Sequence, residues 1–506
     1  MLQNSLIETL TSQSAKDIFK HQVNKIRVLD THASWVILTG KYAYKIKKDV
    51  DFGFLDYTTL EKRKKYCKLE FVLNQALAGE LYIGVMAIIE TNNKITLKNI
   101  NDVSENDNVI EYTLKMNEFS QDELFITLIK KPYKIKRFHI DNLAMQIAEF
   151  HVKAKNNPPN ELLGAPEQLK KPVIENFTQI RELLTEQEDF DNLDKISKWA
   201  KNFYEKRFDH FVKRKKNKLI RACHGDMHLG NIILHNNKPI IFDCIEFNKT
   251  FHWIDTIADV GFLIMDLDFN NCDEYSYRLL NKYLQYTGDY QSLAILPYYL
   301  SYRAIVRAKI NLLQKDKGTE YFEQYRKYID LALKYITKPV PTLVITHGAS
   351  GSGKTHISRL LSEKYQLIHV SSDIERKRLA NLHPYEKSHD ANIYNLEFTE
   401  KTYDKLLEEA KFLLKTGYSV VVDATFLKKH YRDKFYQLTQ EIGAKFGIAS
   451  LENDPDILKT RITKRAENPN NVSDATHAVL EKQLENQDEL SKQEEKFCLD
   501  LSKLNN

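Results

Sequence analysis

One eight-residue segment of the sequence combines side chains that could move a proton and hold metal-bound phosphate. It reads His224-Gly225-Asp226-Met227-His228-Leu229-Gly230-Asn231, and an apolar run ending in Asp243 follows a short polar turn. An aspartate in this setting can accept a proton from a hydroxyl group. An asparagine five residues later and a second aspartate can supply oxygen ligands for Mg²⁺. We therefore predict Asp226 as a catalytic base and Asn231 and Asp243 as metal ligands.

A second segment combines glycines with a lysine and a threonine. It reads Gly348-Ala349-Ser350-Gly351-Ser352-Gly353-Lys354-Thr355 and fits the pattern GxxxxGK[ST] at every fixed position. The glycines allow successive backbone N–H groups to turn towards a phosphate, where side chains would block them. The lysine can reach the β- and γ-phosphates, and the threonine hydroxyl can coordinate Mg²⁺. We predict that all eight residues bind ATP, that Lys354 also acts in catalysis, and that Thr355 is a metal ligand.

Further polar residues follow the strand-like runs of this second region. They are Asp373 and Arg376, Asp423, and the later pair Arg461 and Arg465. In this pattern the region resembles the small P-loop kinases that include polynucleotide kinases and zeta-toxin kinases. The resemblance implies catalytic roles for Asp373 and Arg461, and substrate-binding roles for Arg376, Asp423 and Arg465. Two alternatives stay open: Asp373 could be a helix N-cap, and the two later arginines could lie on a solvated helix face.

The glycine at position 225 stands where protein kinases carry an arginine. In this respect the first region resembles the aminoglycoside phosphotransferase family, which also covers choline and fructosamine kinases. The resemblance implies an N-terminal lobe in which a strand lysine contacts the ATP phosphates and a helix glutamate holds that lysine. We predict Lys45 and Glu70 as this ATP-binding pair, with Lys47, on the same strand face, as the alternative lysine. No GxGxxG segment covers the phosphates, and Glu246 is a candidate additional ligand.

Hydrophobic patterning predicts the elements that position these residues. In the first region it predicts strands within 35–47 and at 82–90, 94–97 and 108–116, and a helix over 60–77. The buried stripe expected on this helix is Leu69, Val72, Leu73, Ala76 and Leu77. In the second region it predicts strands at 343–346, 367–370, 418–422 and 446–451 that alternate with helices, and a charged helix over 481–496. The predicted fold is an α+β bilobal kinase-like domain followed by an α/β P-loop domain whose parallel sheet is covered by helices.

The domain boundary is predicted at Thr337-Lys338-Pro339-Val340-Pro341, because two prolines around a valine cannot continue a helix. The kinase-like domain then covers 1–336, with an N-lobe over about 1–117 and a C-lobe over about 118–336. The linker covers 337–342, and the P-loop kinase domain covers 343–506.

Composition narrows the class of protein. The 506 residues include 74 basic and 69 acidic side chains, and this near balance does not require a nucleic-acid partner. The basic runs at 62–65 and 213–216 are typical of solvated helix faces, so a nucleic-acid partner is not favoured. Five scattered cysteines and the absence of a secretory signal at the start predict a cytoplasmic protein with no membrane segment. His224, His228, Cys223 and Cys244 match no standard zinc ligand set, so zinc is not assigned.

These features together predict an ATP-dependent phosphotransferase. Each domain would bind ATP with Mg²⁺, and phosphate would pass to a hydroxyl group of a small molecule. The order of the two regions resembles bacterial proteins described as fused aminoglycoside phosphotransferase and ATP-binding proteins. The acceptor and the oligomeric state stay open, because acceptor pockets in both families are built from variable loops. Two alternatives remain: a kinase of nucleic-acid ends or nucleotides acting through the P-loop domain, or an ATP-gated regulatory protein with one degenerate kinase domain.

Overall fold

The structure is a computed structural model that describes residues 2–23, 25–158, 161–386, 391–466 and 476–504. It contains two compact units. The first unit comprises Met1–Asn142, Glu149–Leu169 and Val212–Leu263. The second unit comprises Leu143–Ala148, Lys170–Phe211 and Ile264–Asn506. None of the helices in the described ranges is both long enough and apolar enough to cross a membrane.

The N-terminal part of the first unit is a sheet with helices. Its elements are α1 (Leu2–Thr11), β1 (Arg27–Asp30), β2 (Ser34–Leu38), β3 (Tyr42–Lys47), α2 (Leu60–Ala78), β4 (Tyr82–Thr91), β5 (Lys94–Asn99), β6 (Val109–Asn117) and α3 (Phe125–Leu128). All neighbouring strands are antiparallel, in the order β1-β2-β3-β6-β4-β5. The strands predicted within this region are therefore confirmed, to within a few residues at each end.

The helices and short strands between residues 137 and 336 follow. They are α4 (Arg137–Lys153), α5 (Pro166–Arg181), α6 (Gln187–Lys216), β7 (Ile220–Ala222), β8 (Ile232–His235), β9 (Lys238–Ile241), α7 (Lys249–His252), β10 (Trp253–Asp255), α8 (Thr256–Phe269), α9 (Asp273–Thr287), α10 (Leu296–Leu312) and α11 (Thr319–Ile336). β8 and β9 form an antiparallel hairpin directly after the His224–Asn231 segment. This hairpin brings the chain to Asp243, as the sequence pattern predicts.

The last part of the chain is a layered α/β region. Its elements are β11 (Thr342–His347), α12 (Lys354–Tyr365), β12 (Ile368–Ser371), α13 (Ser372–Leu379), α14 (Leu396–Thr416), β13 (Val420–Asp423), α15 (Lys429–Ile442), β14 (Lys445–Ser450), α16 (Pro455–Ala466), α17 (His477–Glu485) and α18 (Lys492–Glu495). The four strands are parallel, as predicted, and the structure gives their order as β12-β13-β11-β14. Because the strands are parallel, their carboxyl ends lie at the same end of the sheet, and ligands bind at this end in sheets of this kind.

Apolar side chains cover both faces of the first unit's sheet. One cluster, which includes Cys67 of α2 and Leu114 of β6, packs α2 against the sheet. Leu6 and Leu10 of α1 belong to a second cluster with sheet residues such as Ile46. These apolar side chains stabilise the sheet because folding removes them from water.

The stripe predicted for α2 is wrong, although the helix itself lies where it was expected. Leu77 is buried, but Leu69 and Leu73 are only partly buried and Val72 is 62% exposed. The inward face instead carries polar residues, among them Glu70. Polar side chains such as Glu70 can be buried there because they have hydrogen-bonding partners within the unit.

The predicted helix over 481–496 is also wrong. The structure has two short helices here, α17 and α18, and each begins at its own N-cap. Thr476 accepts a hydrogen bond from the Val479 N–H at the start of α17, and Ser491 with Glu494 forms a capping box at the start of α18. Between them, the Asp488 N–H donates to the carbonyl of Leu427.

Candidate active sites

The first candidate site is built around the loop at residues 224–231. The Asn231 side-chain nitrogen donates to the Asp226 carbonyl at 3.0 Å and to its carboxylate at 3.2 Å. The Asp226 side chain remains 39% exposed. The two residues predicted as base and metal ligand therefore meet within one turn, and the carboxylate is open to an approaching group.

Asp259 holds the backbone of this loop in place, a supporting role that its place in the sequence Ile254-Asp255-Thr256-Ile257-Ala258-Asp259 also suggests. Its two carboxylate oxygens accept hydrogen bonds from the His224 and Gly225 N–H groups, each at 2.9 Å. One of them also accepts a hydrogen bond from His151 Nε2 at 3.1 Å. Burial alone would raise the pKa of Asp259, but the hydrogen bond and charge of His151 and the loop lower it below its ordinary value. The ionised carboxylate thus holds the backbone immediately before Asp226.

Two histidines of the loop also take defined positions. His224 is fully buried and its Nε2 lies 2.8 Å from the Phe242 carbonyl, which ties the loop to the residue before Asp243. His228 Nδ1 accepts from the Gly230 N–H at 3.0 Å, and its Nε2 lies 3.5 Å from the Asp226 carboxylate. In the neutral ring, Nε2 therefore carries the hydrogen that faces Asp226. The loop pattern marked both residues, but only the fold shows what each one contacts.

Lys45 links the predicted helix glutamate to the predicted metal ligand. Its Nζ lies 2.8 Å from Glu70 and 2.5 Å from Asp243. Burial alone would lower the pKa of Lys45, but Asp243 and Glu70 together raise it well above its ordinary value. The structure thus brings together three residues that are far apart in the sequence.

Lys47 contacts the same glutamate from the other side. Its Nζ lies 2.7 Å from Glu70 and forms an ion pair with Glu246, which also accepts from the Tyr57 hydroxyl. Glu246, which the sequence made a candidate ligand, is instead held in this buried group. Burial alone would raise the pKa of Glu70, but the two lysines lower it to about 2.

Asp243 is positioned by its own backbone and by neighbours from the sheet. Its φ is +65°, a left-handed conformation that is uncommon outside glycine. Its N–H donates to the Tyr82 hydroxyl at 3.3 Å, and the next N–H, of Cys244, donates to the Asn74 side chain at 3.1 Å. Asn74 in turn donates to the Glu70 carbonyl, so α2 holds both partners of Lys45. The side-chain oxygen atoms of Asn231 and Asp243 are of the kind that Mg²⁺ prefers as ligands.

The second candidate site is the loop between β11 and α12. Gly348, Gly351 and Gly353 all have positive φ values, of 143°, 86° and 99°. A side chain at Gly351 would also meet the Leu458 carbonyl at 2.9 Å. These glycines therefore allow the backbone turn that a phosphate-binding loop needs. Lys354 begins α12, and its Nζ donates to the Ala349 carbonyl at 2.8 Å.

Asp423 lies at the carboxyl end of β13, beside this loop. It is buried, it accepts a hydrogen bond from Thr355, and it lies 3.2 Å from His369 Nε2. Burial alone would raise the pKa of Asp423, but His369, Lys354 and Thr355 lower it below its ordinary value. The predicted metal ligand Thr355 and the predicted substrate residue Asp423 are therefore in direct contact.

Asp373 and Arg376 both lie on α13, which begins at the carboxyl end of β12. The N-cap of α13 is Ser371, and Asp373 lies in the first turn. Arg376 is buried, and its guanidinium donates to the Ile393 carbonyl at 2.6 Å, although its Nε has no hydrogen-bonding partner among the residues that the structure describes. The substrate role predicted for Arg376 stays a prediction, since its main hydrogen bond is to the protein.

The helices that follow β14 pack against the P-loop. The guanidinium group of Arg461, on α16, lies 3.4 Å from the Gly351 carbonyl oxygen. The Ser350 N–H donates a hydrogen bond to the side-chain oxygen of Gln483, on α17, at 2.8 Å. Ala349 packs in an apolar cluster with Leu458 of α16 and Leu480 of α17. Arg461 therefore lies next to the loop, as its predicted role requires. The side chain of Arg465 lies outside the part of the chain that the structure describes.

A buried group of three possible metal ligands also occurs within the described ranges. His151, Cys223 and Asp259 place their ligand atoms within 4.8 Å of one another. The two oxygens of Asp259 already accept hydrogen bonds from backbone N–H groups of the 224–231 loop and from His151, as given above. We therefore assign this group a structural role beneath the loop.

Comparison with known proteins identifies the class of each region. Residues 139–296 match the model of the phosphotransferase enzyme family, and residues 343–490 match the model described as AAA domain. The chain thus carries a phosphotransferase-family domain followed by a P-loop domain. The two predicted family resemblances and the predicted fold class are confirmed.

Particular relatives are found among both sequences and structures. Uncharacterized proteins of Mycobacterium bovis and Mycobacterium tuberculosis are 26% identical over 355 residues, which cover 70% of this chain and 68% of theirs. A choline/ethanolamine kinase family protein from Mesorhizobium loti is 10% identical, covers 67% of this chain and 96% of its own, and has a TM-score of 0.39. Amicoumacin kinase hAmiN is 12% identical over 66% of this chain and 93% of its own, with a TM-score of 0.39. A gluconokinase from Sinorhizobium meliloti is 18% identical over 33% of this chain and 89% of its own, with a TM-score of 0.23.

Proposed function

We propose that this protein transfers phosphate from ATP to a hydroxyl group of a small molecule. The observation that carries the proposal is the contact of Lys45 with both Glu70 and Asp243, next to a loop that presents Asp226 and Asn231. These are the groups that phosphoryl transfer needs, because its catalysis consists mostly of positioning and charge neutralisation. The phosphotransferase-family match over residues 139–296 supports the same chemistry.

In the proposed reaction the acceptor hydroxyl gives its proton to the Asp226 carboxylate. Its oxygen forms a bond to the γ-phosphorus as the bond from that phosphorus to the bridging oxygen breaks, and ADP leaves. Bound Mg²⁺ would neutralise phosphate charge, and Asn231 and Asp243 would hold it. Lys45 would contact the α- and β-phosphates after moving away from Asp243.

We propose that the P-loop region is a second Mg-ATP site. Gly348–Thr355 would hold the phosphates, with Lys354 on the β- and γ-phosphates and Thr355 on the metal. Asp373 would activate the acceptor, Arg461 would neutralise transferring phosphate, and Asp423, Arg376 and Arg465 would hold substrate. The contact of Thr355 with Asp423 and the position of Arg461 beside Gly351 support these roles.

The experiment compares Asp226→Asn with Asp243→Asn, each in a protein that also carries Lys354→Ala to silence the P-loop site. Asp226→Asn cannot take a proton, so transfer should fall about 10²–10⁴-fold while ATP still binds. Asp243→Asn removes a metal ligand, so Mg²⁺-dependent ATP binding should weaken as well. ATP binding is measured by calorimetry and transfer with ³²P-labelled ATP.

The acceptor screen combines a fractionated cell extract with choline, ethanolamine, aminoglycosides and gluconate, acceptor classes suggested by the relatives. Asp209→Asn is the matched control, since Asp209 is exposed on α6 and should have no effect. Equal transfer by the Lys354→Ala parent and both aspartate variants would exclude the first site as the source. Labelling of RNA or DNA 5′ ends would favour the nucleic-acid alternative, and ATP binding without transfer to any acceptor would favour a regulatory protein.

A further inference from the structure

Strand β12 lies at the edge of the parallel sheet, and a helix from before the linker covers it. One side of an edge strand has N–H and C=O groups without a neighbouring strand. Here the side-chain amide of Asn281, on α9, donates to the Leu367 carbonyl at 2.9 Å and accepts from the His369 N–H at 2.7 Å. A residue of a parallel neighbouring strand would form the same two bonds around Ile368. The Asn281 side chain therefore takes the place of one residue of a fifth strand.

Two further side chains hold the same point of the strand. The His369 carbonyl accepts from the Tyr290 hydroxyl at 3.4 Å and from the Gln285 side chain at 3.5 Å. Asn281, Gln285 and Tyr290 are all buried. Both backbone polar groups of His369 are thus held by residues that precede the linker by about fifty positions or more along the chain.

The side chain of His369 extends from this held backbone to the P-loop site. Its Nε2 lies 3.2 Å from the Asp423 carboxylate, and Asp423 also accepts from Thr355 at the start of α12. His369 and Asp423 are 2% and 4% exposed, so their contact is shielded from solvent. A continuous series of contacts therefore runs from α9 through β12 to the predicted metal site.

We propose that Asn281 and His369 are positioning residues of the P-loop site, through which α9 sets the place of the Asp423 carboxylate. The proposal rests on the proposed function of that site. It follows that the P-loop site depends on a helix from the kinase-like part of the sequence. The physical reason is that an error of about 1 Å in a reacting geometry can cost about 10²-fold in rate.

The test uses the full chain with Asp243→Asn, so that the first site has lost one of its two predicted metal ligands. Asn281→Leu removes both hydrogen bonds at nearly constant volume, and His369→Phe removes the donor to Asp423. Each should lower ATP turnover by about 10–100-fold. Each should also raise the Mg²⁺ concentration needed for half-maximal ATP binding about tenfold or more, while Mg²⁺-free ATP binding changes less than about threefold. The part of each signal that Lys354→Ala abolishes belongs to the P-loop site.

Two further variants distinguish positioning from general loosening of the structure. His369→Gln can still donate to Asp423, so it should restore most of the Mg²⁺ dependence that His369→Phe loses. Arg278→Gln breaks the ion pair with Glu363, which joins α9 to α12 without involving His369, so it should leave the Mg²⁺ dependence unchanged. If Asn281→Leu does not fold, the two His369 variants decide the result.

The outcomes separate this proposal from the proposed function. Mg²⁺-dependent ATP binding without turnover in the Asp243→Asn parent would overturn the activity of the P-loop site, and the binding measurements would still test the positioning roles. Loss of Mg²⁺ dependence in Arg278→Gln equal to that in His369→Phe would overturn the positioning roles. So would unchanged Mg²⁺ dependence in both Asn281→Leu and His369→Phe.

Discussion

Lys45 and Lys47 lie two residues apart on β3 and contact one glutamate, yet their surroundings differ. The Lys47 side chain is 1% exposed and lies between the buried carboxylates of Glu70 and Glu246. Burial alone would lower the pKa of Lys47, but Glu246 and Glu70 raise it well above its ordinary value, so the side chain is charged at neutral pH. Lys45 is 16% exposed and contacts Asp243, which is 39% exposed. We therefore expect Lys47 to stabilise the fold and Lys45 to contact the bound nucleotide.

Substitution of each lysine by methionine should separate the two roles. Lys47→Met should lower the free energy of unfolding by about 3–5 kcal/mol, because it leaves a buried carboxylate without its partner. Lys45→Met should lower it less, since water reaches Asp243, but should weaken ATP binding at the first site. Unfolding in urea measures the first effect. Calorimetry in a protein that carries Lys354→Ala measures the second.

The matched control is the double variant Lys47→Met/Glu246→Gln, which removes the unpaired charge together with the lysine. It should recover part of the stability that Lys47→Met alone loses. A larger loss of stability in Lys45→Met than in Lys47→Met would reverse this assignment.

At the scale of single elements, the end of β11 carries a buried histidine directly before the P-loop. His347 Nδ1 lies 3.0 Å from the Ser450 hydroxyl of β14, and within the described part of the chain the buried Nε2 has no hydrogen-bonding partner. Burial lowers the pKa of His347 to about 4, and the positive charge of Arg432 contributes in the same direction. The folded protein therefore holds this ring neutral at pH values where the unfolded chain protonates it.

Stability should consequently fall as the pH falls from about 6.5 towards about 4. Since the pKa of His347 is lower in the folded state, its contribution is fully present above about 6.5 and decreases below that pH. The slope from one group is at most about 1.4 kcal/mol per pH unit. His347→Gln lacks this group, so the stability difference between the parent and this variant should narrow between pH 7 and pH 5 in urea unfolding.

Other histidines with lowered pKa values, such as His21 and His252, are present in both proteins and so do not affect the difference. A difference that stays constant over this range would mean that the folded protein protonates His347 as readily as the unfolded chain does.

At the scale of the whole molecule, the predicted linker is exposed but lies within one compact unit. α11 ends at Ile336, β11 begins at Thr342, and residues 337–340 are exposed. Both Ile264–Ile336 and the P-loop sheet belong to the second unit, because α9 packs on β12 and α12. The division into domains at 337–342 stays a prediction. The contacts indicate that its two sides remain together even when the chain is cut.

A specific protease site inserted between Pro339 and Val340 tests this expectation. After cleavage, the two pieces should elute as one species in gel filtration and separate only in denaturant. The combined substitution of Asn281→Leu and Arg278→Gln should make them separate at a lower urea concentration, because it removes contacts across the cut. Two separate peaks from the cleaved parent in native buffer would show that the linker is a true boundary.

Local sequence patterns were sufficient for most of the strands and for the two loops that are predicted to carry chemistry. β11, the glycine turn and the start of α12 at Lys354 follow from neighbouring residues, because strand period and glycine backbone preferences act over a few positions. The same holds for Asp226 and Asn231, which meet within one turn. The split of the 481–496 helix was missed because the cap at Ser491 outweighs the helical pattern around it.

The tertiary structure alone decided which face of α2 is inward and, apart from the predicted pair Lys45 and Glu70, which side chains meet across the fold. Val72 is outward and Glu70 inward because β3 and the Asp243 segment supply charged partners, and such long-range pairs leave no periodic signal in the helix itself. The contact of Asn281 with β12, and through His369 with Asp423, joins positions more than eighty residues apart. Hydrogen bonds of this kind depend on how elements pack, whereas local patterns depend on the chain's own backbone preferences. The two loops could therefore be predicted from the sequence, and most of the residues that support them could not.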